Sequence, residues 1–290
     1  MISIVVVSYR CSEVVQDCIA SCLAQMHDND EVIVFENSGD VSLKAYEQVN
    51  PRISVHVSTE NIGFTRAVNA CLQSAINPWR LVLNPDVRLV EGALDTLRTT
   101  LQTAPQRIYC IELLDAPGLR QSYYRRFPSL RGLIVMFFVP ARFQVHFRSY
   151  RSYTYHGEFQ HRTSFEQPPG AGLVLPVGRN LDERYFLYGS DLQICWDEWQ
   201  TTREEIPLIA AQAIHLRGKG GTGEVADRAR LRADSALGFY RFFQRTRPGK
   251  AVGWWMSFVC GQLIACFLRG TSGGHDMALR RFLRGQTWER

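Results

Sequence analysis

The sequence has no GxGxxG after its first apolar run, no GxxxxGK[ST] and no GxSxG. The first two absences leave a dinucleotide fold and a P-loop without support, and the third removes a strand-to-helix nucleophile elbow. Eight cysteines are present, but none has CxxC or zinc-ligand spacing. Most lie inside apolar segments, where a free thiol acts as a small core residue, so reduced cysteines in the cytoplasm are expected. No basic n-region or cleavage site precedes the first apolar run, so no signal peptide is expected. Internal repeats and low-complexity tracts are also missing.

What is present is an ordinary globular balance. In 290 residues, 46% are hydrophobic and 21% charged, which allows one large core with or without an appendage. The charge is uneven: residues 228–290 carry 12 Lys or Arg against 3 Asp or Glu, whereas the first 227 residues carry 21 against 25. The basic tail is interleaved with Phe239, Tyr240, Phe242, Phe243, Trp254, Trp255 and Phe258. That mixture favours an anionic membrane interface over nucleic acid, which the acidic main body argues against. The tail's apolar centre, residues 251–268, has 18 residues and includes two Gly, a Gln and a Ser. It is short for a span, so an interfacial helix or one packed on the body is expected.

Continuous β-branched runs at 2–9 and 31–37 predict strands buried on both faces, with further strands at 53–58, 80–84, 107–114, 171–177 and 206–216. Helical spacing at 12–26, 63–75 and 92–104 alternates with them and predicts a doubly wound, mostly parallel α/β sheet. Residues 115–170, rich in Arg and Tyr, predict an irregular insertion.

In such a sheet, ligands bind at the carboxyl ends of the strands. The polar clusters fall there: Ser8-Tyr9-Arg10 after the first strand, Glu36-Asn37-Ser38 after the second, and Asn84-Pro85-Asp86 after the fourth. Asn61 and Gly63 precede a helix whose free N–H groups suit an anion. Each cluster alone reads as a turn; together they predict a nucleotide-sized site. Without a glycine-rich cradle, a diphosphate needs another counter-charge, and a divalent metal (Mg2+ or Mn2+) held by Asp86 is the candidate.

The segments IVVVSYR, VIVFENSGD, NIGFTRAVN, LVLNPDV, GAGLVL, LDERYFLYGSDLQIC and HLRGKGG resemble, in order, the signatures of family-2 inverting glycosyltransferases with the GT-A fold. The likeness is greatest to the rhamnosyltransferase-type branch, where Asn-Pro-Asp stands for Asp-x-Asp. It covers residues 1–225, leaving 226–290 as a basic amphipathic helical region. The resemblance implies a metal site at Asp86, completed by His215, and a nucleoside pocket lined by Ser8, Tyr9, Arg10 and Glu36. It places Asn61, Arg66, Asn69 and Asn84 beside the diphosphate and donor sugar, and Asp182 and Glu183 near the donor and acceptor sugars, as second choices for the base. Glu36 stands where the family usually has Asp.

By the same resemblance Asp191 is the general base. The family's Glu-Asp pair is here Ser190-Asp191, and Gln193 replaces a second Asp. A neighbouring carboxylate that would raise the Asp191 pKa is therefore missing, and burial is the remaining way to tune it. Asp197 and Glu198 read as a solvated helix face, Trp196 and Trp199 as core. Arg125 and Arg126 suit either an anionic acceptor or a solvated loop, and Lys219 and Thr222 either a phosphate lid or a surface loop.

The expected function is transfer of a sugar, L-rhamnose from dTDP-L-rhamnose, to a glycan hydroxyl, with a lipid-linked acceptor at the inner face of the cell membrane. The alternative is a noncatalytic sugar-nucleotide-binding relative that serves as scaffold or partner of an active transferase. Oligomeric state stays open.

Overall fold

The run β1 (Ile2–Ser8) is buried along its whole length. Its residues alternate between two cores: Ile2, Ile4 and Val6 enter one, Val5 and Val7 the other. A continuous apolar run is what a strand covered on both faces requires. The structure is a computed structural model that describes residues 1–116, 118–216, 225–269 and 274–285. Lys219 and Thr222 lie outside these residues.

Next in the chain come α1 (Ser12–Leu23), β2 (Glu31–Glu36), α2 (Ala45–Val49), β3 (Ile53–Val57), α3 (Phe64–Ser74) and β4 (Trp79–Leu83). Strands β3, β2, β1 and β4 lie side by side and parallel. Then follow β5 (Val87–Leu89), α4 (Ala93–Leu101), β6 (Tyr109–Ala116) and the short β7 (Leu119–Arg120). Three helices, α5 (Leu130–Phe138), α6 (Ala141–Gln144) and α7 (Arg148–Tyr153), precede β8 (Ser164–Phe165), β9 (Gly172–Pro176), α8 (Ser190–Thr202) and β10 (Ile206–His215). The insertion expected to be irregular is thus partly helical, because Ser129 caps α5 by accepting from the Gly132 N–H at 3.1 Å. Helices α9 (Val225–Thr246), α10 (Pro248–Arg269) and α11 (His275–Arg284) complete the described chain.

The sheet order is β3-β2-β1-β4-β9-β6-β10-β5. One departure from the parallel expectation matters for the site. Strand β9 inserts antiparallel between β4 and β6, and β5 runs antiparallel to β10. In the β4–β9 register Leu83 faces Gly172, so β9 begins where β4 ends. Any Cβ at Gly172 would sit 2.7 Å from Ile111, which is why the strand starts on glycine.

Helices α1 and α4 cover one face, and α3 and α8 the other. The tail forms a third core with α5, built on Trp254, Phe258, Phe242, Phe243 and Phe282. The Trp254 indole N–H donates to the Ala236 carbonyl at 2.9 Å, so α10 packs one face on α9. Among the described residues, α10 is the one helix with the length and apolarity to cross a membrane.

Asp30 fastens the edge opposite the polar clusters. It accepts from the backbone N–H groups of Ile2 at 2.8 Å and His27 at 2.9 Å, and pairs with Arg98. Burial pushes its carboxyl up, but Arg98 and the two amides outweigh this and hold it below the ordinary value. Its contribution is therefore present above the ordinary carboxylate range and lost as pH falls through the lowered value. Asp30→Ala is expected to cost about 3 kcal/mol, because it leaves two amides without their acceptor and takes one of three partners from Arg98, which keeps Asp95 and the Gln25 carbonyl. Urea unfolding at neutral pH and at pH 3 measures this: the gap between variant and parent should narrow in acid.

Candidate active site

The carboxyl-end edge of β1 and β2 is held by a side-chain network. Ser8 is buried, and its carbonyl accepts from the Asn37 N–H at 2.8 Å. Arg10 adopts a left-handed conformation (φ 52), with its guanidinium 5.2 Å from the Tyr9 ring centroid. Its N–H points to the Ser38 hydroxyl at 3.4 Å. Left-handed backbone is costly for a residue with a Cβ, so the turn around it is well determined.

Glu36 is fully buried. Its Oε1 accepts from the Ser38 N–H at 2.7 Å and from the Ser38 hydroxyl, whereas Oε2 has no partner. A buried carboxylate oxygen without a donor is costly and is suited to receive one from a ligand. The longer Glu thus folds back with one oxygen and offers the other.

Asn61 Oδ1 accepts from the Asn37 amide at 2.9 Å and from the Gly63 N–H at 3.0 Å, while Asn37 Oδ1 accepts from the Ile62 N–H at 2.9 Å. The pair ties the loops after β2 and β3 together. Gly63 has φ +88, and a Cβ there would meet Phe186 at 2.8 Å.

Asn69 is spent on the fold. Its side chain accepts from the Leu181 N–H at 2.8 Å and donates to the Leu181 carbonyl at 2.9 Å and to Glu183 at 3.0 Å. It clamps the 181–183 loop instead of facing outward. Arg66 lies 3.6 Å from Glu183, both half-exposed. A groove of about 840 Å³ opens here, lined by Arg66, Arg184, Arg241 and Arg245 with Asp182 and Glu183.

After β4, the Val87 N–H closes a turn on the Asn84 carbonyl at 3.2 Å, and the Asp86 carbonyl accepts from the Leu216 N–H at 2.9 Å. The turn and the β5–β10 pairing, with Val87 opposite His215, bring Asp86 Oδ1 within 3.2 Å of His215 Nε2. The Gln121 amide fixes the ring. Its Nε2 donates to the carbonyls of His215 at 2.9 Å and Leu114 at 3.4 Å, so Oε1 must accept from His215 Nδ1 at 2.9 Å. With Nδ1 donating to Gln121, Nε2 faces the Asp86 carboxylate, an arrangement that suits either an Nε2–H donated to Asp86 or a cation held by both atoms.

Among the described residues no cluster of three or more His, Cys, Asp or Glu could hold a metal. Two protein ligands still fit a cation whose remaining positions come from a diphosphate and water.

Asp191 lies in the first turn of α8, after Gly189, whose φ of 102 admits no ordinary side chain. The Gln167 side chain and the backbone N–H groups of Leu192, Asp191 and Gly170 lie close enough to its carboxyl to favour the ionised form. Burial nonetheless dominates and raises its pKa above the ordinary carboxylate value. Gly170 precedes β9, and a Cβ there would lie 3.2 Å from Asp191. Since Gly172 pairs with Leu83, Asp191 belongs to the same sheet edge as Asp86. Burial thus supplies the upward shift that a neighbouring carboxylate would have given.

Gln193, in the place of the second Asp, accepts from the Tyr185 hydroxyl at 3.0 Å and donates to Asp197 at 3.0 Å. Asp182 differs from Asp191: hydrogen bonds from Arg184, with Arg245 at 3.4 Å, hold its carboxyl below the ordinary value. A carboxylate neutralised twice is a poor proton acceptor.

The Asp191 surroundings contain residues the sequence did not single out: Gln167, Tyr153 and Tyr188. The Arg125 guanidinium stands 5.7 Å from the Tyr123 ring centroid and 5.9 Å from that of Tyr153. Tyr153 is buried, whereas Tyr123 and Tyr188 are exposed and their faces suit a sugar ring. Arg126 instead stacks on Tyr155 at 4.4 Å and pairs with Glu158 and Glu166. Glu198 corrects the expectation of a solvated helix face: it is fully buried and paired with Arg179 and Arg107. Trp196 and Trp199 pack edge-on against Phe127.

Solved structures share this architecture. S. aureus TarS 1–349 is 13% identical with a TM-score of 0.53, over 100% of this chain and 93% of that one. The mannosyltransferase PcManGT from Pyrobaculum calidifontis, in complex with GDP-Man and Mn2+, is 12% identical with a TM-score of 0.53, over 97% of this chain and 86% of its own. GalNAc-T7 with UDP, GalNAc and Mn2+ is 12% identical with a TM-score of 0.56, over 80% of this chain and 47% of its own. At these identities the likeness is one of fold, the GT-A arrangement. No curated protein matches. The model described as glycosyl transferase family 2 matches residues 3–166, more than half of the 290, and the chain belongs to that family.

Proposed function

We propose that the protein is an inverting, metal-dependent glycosyltransferase that uses Asp191 as general base. The observation that carries this reading is a partly buried carboxyl with a raised pKa on the same sheet edge as the Asp86–His215 pair. Inverting transfer needs a base beside the acceptor hydroxyl and stabilisation of the departing diphosphate. Asp86 and His215 would hold the cation, which supplies Lewis-acid stabilisation of that leaving group. Asp191 takes the acceptor proton, and Tyr153 and Tyr188 flank it on the acceptor side. Arg66 and Glu183 border the donor sugar.

The unpartnered Glu36 Oε2 suits a base that presents a ring N–H, as uracil, thymine and guanine all do. The structural neighbours were crystallised with UDP, UDP-GlcNAc or GDP-Man, which accords with a nucleoside-diphosphate-sugar donor. dTDP-L-rhamnose remains the donor proposed from the Asn-Pro-Asp signature. The acceptor is a glycan hydroxyl, carried on a membrane lipid because the basic, aromatic C-terminal region suits an anionic leaflet. In this proposal residues 1–225 are the transferase and 226–290 a basic helical region, in a cytoplasmic enzyme peripheral to the membrane.

Incubation with dTDP-, UDP- and GDP-sugars, a membrane-lipid extract, and Mg2+, Mn2+ or chelator tests the proposal through free nucleoside diphosphate. Release from one donor, lost in chelator, is expected. Donor binding without release from any sugar nucleotide would instead favour the noncatalytic scaffold, the reading that Ser190 and Gln193 motivate.

A further inference from the structure

Two stretches of the chain lack acidic residues. Residues 116–157 contain seven arginines and no Asp or Glu, and residues 235–275 contain five Lys or Arg and again no Asp or Glu. The structure brings these stretches together. Helix α5 packs on α10: a Cβ at Gly261 would meet Phe138 at 2.1 Å, and one at Gly253 would meet Leu130 at 3.0 Å. Helix α6 folds back on the end of α5, where the Gln144 amide donates to the carbonyls of Met136 at 3.0 Å and Val139 at 2.8 Å.

Both stretches leave large apolar side chains in water. On α10, whose inner face is occupied by Trp254, Phe258 and Gln262, the outer face shows Val252, Met256, Leu263, Ile264 and Phe267, the last 90% exposed. Around α6, Phe143, Val145 and Phe147 are exposed within six residues. Exposed Arg142 and Arg148 stand beside them, and the Arg142 guanidinium lies 4.8 Å from the Phe143 ring centroid. Core packing explains none of these side chains. Apolar and aromatic anchors set among arginines, with no carboxylate between, match the headgroup region of an anionic bilayer.

We propose that the outer face of α10 and the Phe143–Phe147 segment form one docking surface for an anionic lipid bilayer. The second anchor is the informative part. Helix α5 leads through α6 to α7, whose last residue, Tyr153, is near enough to Asp191 to interact with it electrostatically. Docking through both anchors would fix the side of the molecule that carries Asp191 relative to the bilayer, whereas the C-terminal helices alone would leave that orientation open. The proposal gives the membrane-carried acceptor of the preceding reading its route to the base, and to that extent rests on it. Membrane binding itself needs neither donor nor acceptor.

The test is co-sedimentation of the full chain with vesicles of phosphatidylcholine alone or mixed equally with phosphatidylglycerol. The parent should bind the anionic vesicles, more weakly at high salt, and bind the neutral ones poorly. Phe143→Glu with Phe147→Glu, and separately Ile264→Glu with Phe267→Glu, should each weaken binding roughly tenfold or more. All four sites are exposed, so circular dichroism and melting temperature should match the parent. Parent-like binding by the Phe143/Phe147 variant would overturn the two-anchor surface. So would a parent that ignores anionic vesicles, or a parent dimer that the Ile264/Phe267 variant converts to monomer, since the face would then serve a second copy. Donor release into solution is read in the same samples: its failure with vesicle binding intact counts against the transferase, not the surface.

Discussion

Asp191→Asn is expected to lower sugar transfer by about 10²- to 10⁴-fold, the usual contribution of a positioned general base. The substitution preserves shape and removes only the ability to take the acceptor proton. Donor binding should hold, because the Asp86 and Glu36 sides of the site are untouched, so the loss falls on kcat and not on the donor KM. The pH profile adds a sign. Transfer needs the ionised carboxylate, and burial raises the Asp191 pKa. The acidic limb of kcat/KM should therefore lie above the range of an ordinary carboxylate, about 4. Asp182→Asn is the comparison. Its carboxylate is bound to Arg184 and Arg245 and held low, so its loss should disturb the loop and leave the acidic limb in place. Undiminished transfer by Asp191→Asn would remove the base assignment.

Asp86→Ala should lower donor turnover by about 10²- to 10³-fold, the equivalent of several kcal/mol of leaving-group stabilisation. It should also abolish Mn2+ binding in the presence of UDP, measured by electron paramagnetic resonance. The fold should survive, because the turn is held by the Asp86 carbonyl and not by its side chain. His215→Ala leaves one of the two ligands, so its effect should be smaller in both assays. Full Mn2+ affinity in Asp86→Ala would show that the pair holds no cation.

Much of the scaffold was legible because it is local. β1 and β2 announce themselves as unbroken β-branched runs, and both bury their residues on two faces. The polar clusters after β1, β2 and β4 follow from where such strands end. The direction of β9 was not legible, since a five-residue apolar run carries no sign of its polarity. Gln121 was missed for a related reason. It meets His215 across 94 residues of chain, and nothing in its neighbours Arg120 and Ser122 marks it. Asn69 was visible but its employment was not, because its partner Leu181 is 112 residues away. Glu198, beside the charged Asp197, has the sequence pattern of a solvated helix face. Its burial depends on Arg107 and Arg179, which arrive from other parts of the chain. The C-terminal region's basic and aromatic character is plain in composition, yet the exposed Phe143 and Phe147 emerge only once α6 is seen to fold back on α5.

The insertion of β9 between β4 and β6 also sets a timetable for synthesis. The parallel unit β3-β2-β1-β4 is complete once Leu83 has emerged from the ribosome, but the slot beside β4 cannot be filled until Gly172–Pro176 follows. For nearly ninety residues of translation the nascent chain carries an open strand edge. The gap separates two partial sites in time: the Glu36 turn can form early, whereas Asp191 and the Asp86 turn, which is tied to Leu216 and β10, are completed only after β9 has emerged. Slowing elongation across residues 84–171 should lengthen exposure of that edge and make the newborn protein more dependent on chaperones, with the mature enzyme unchanged.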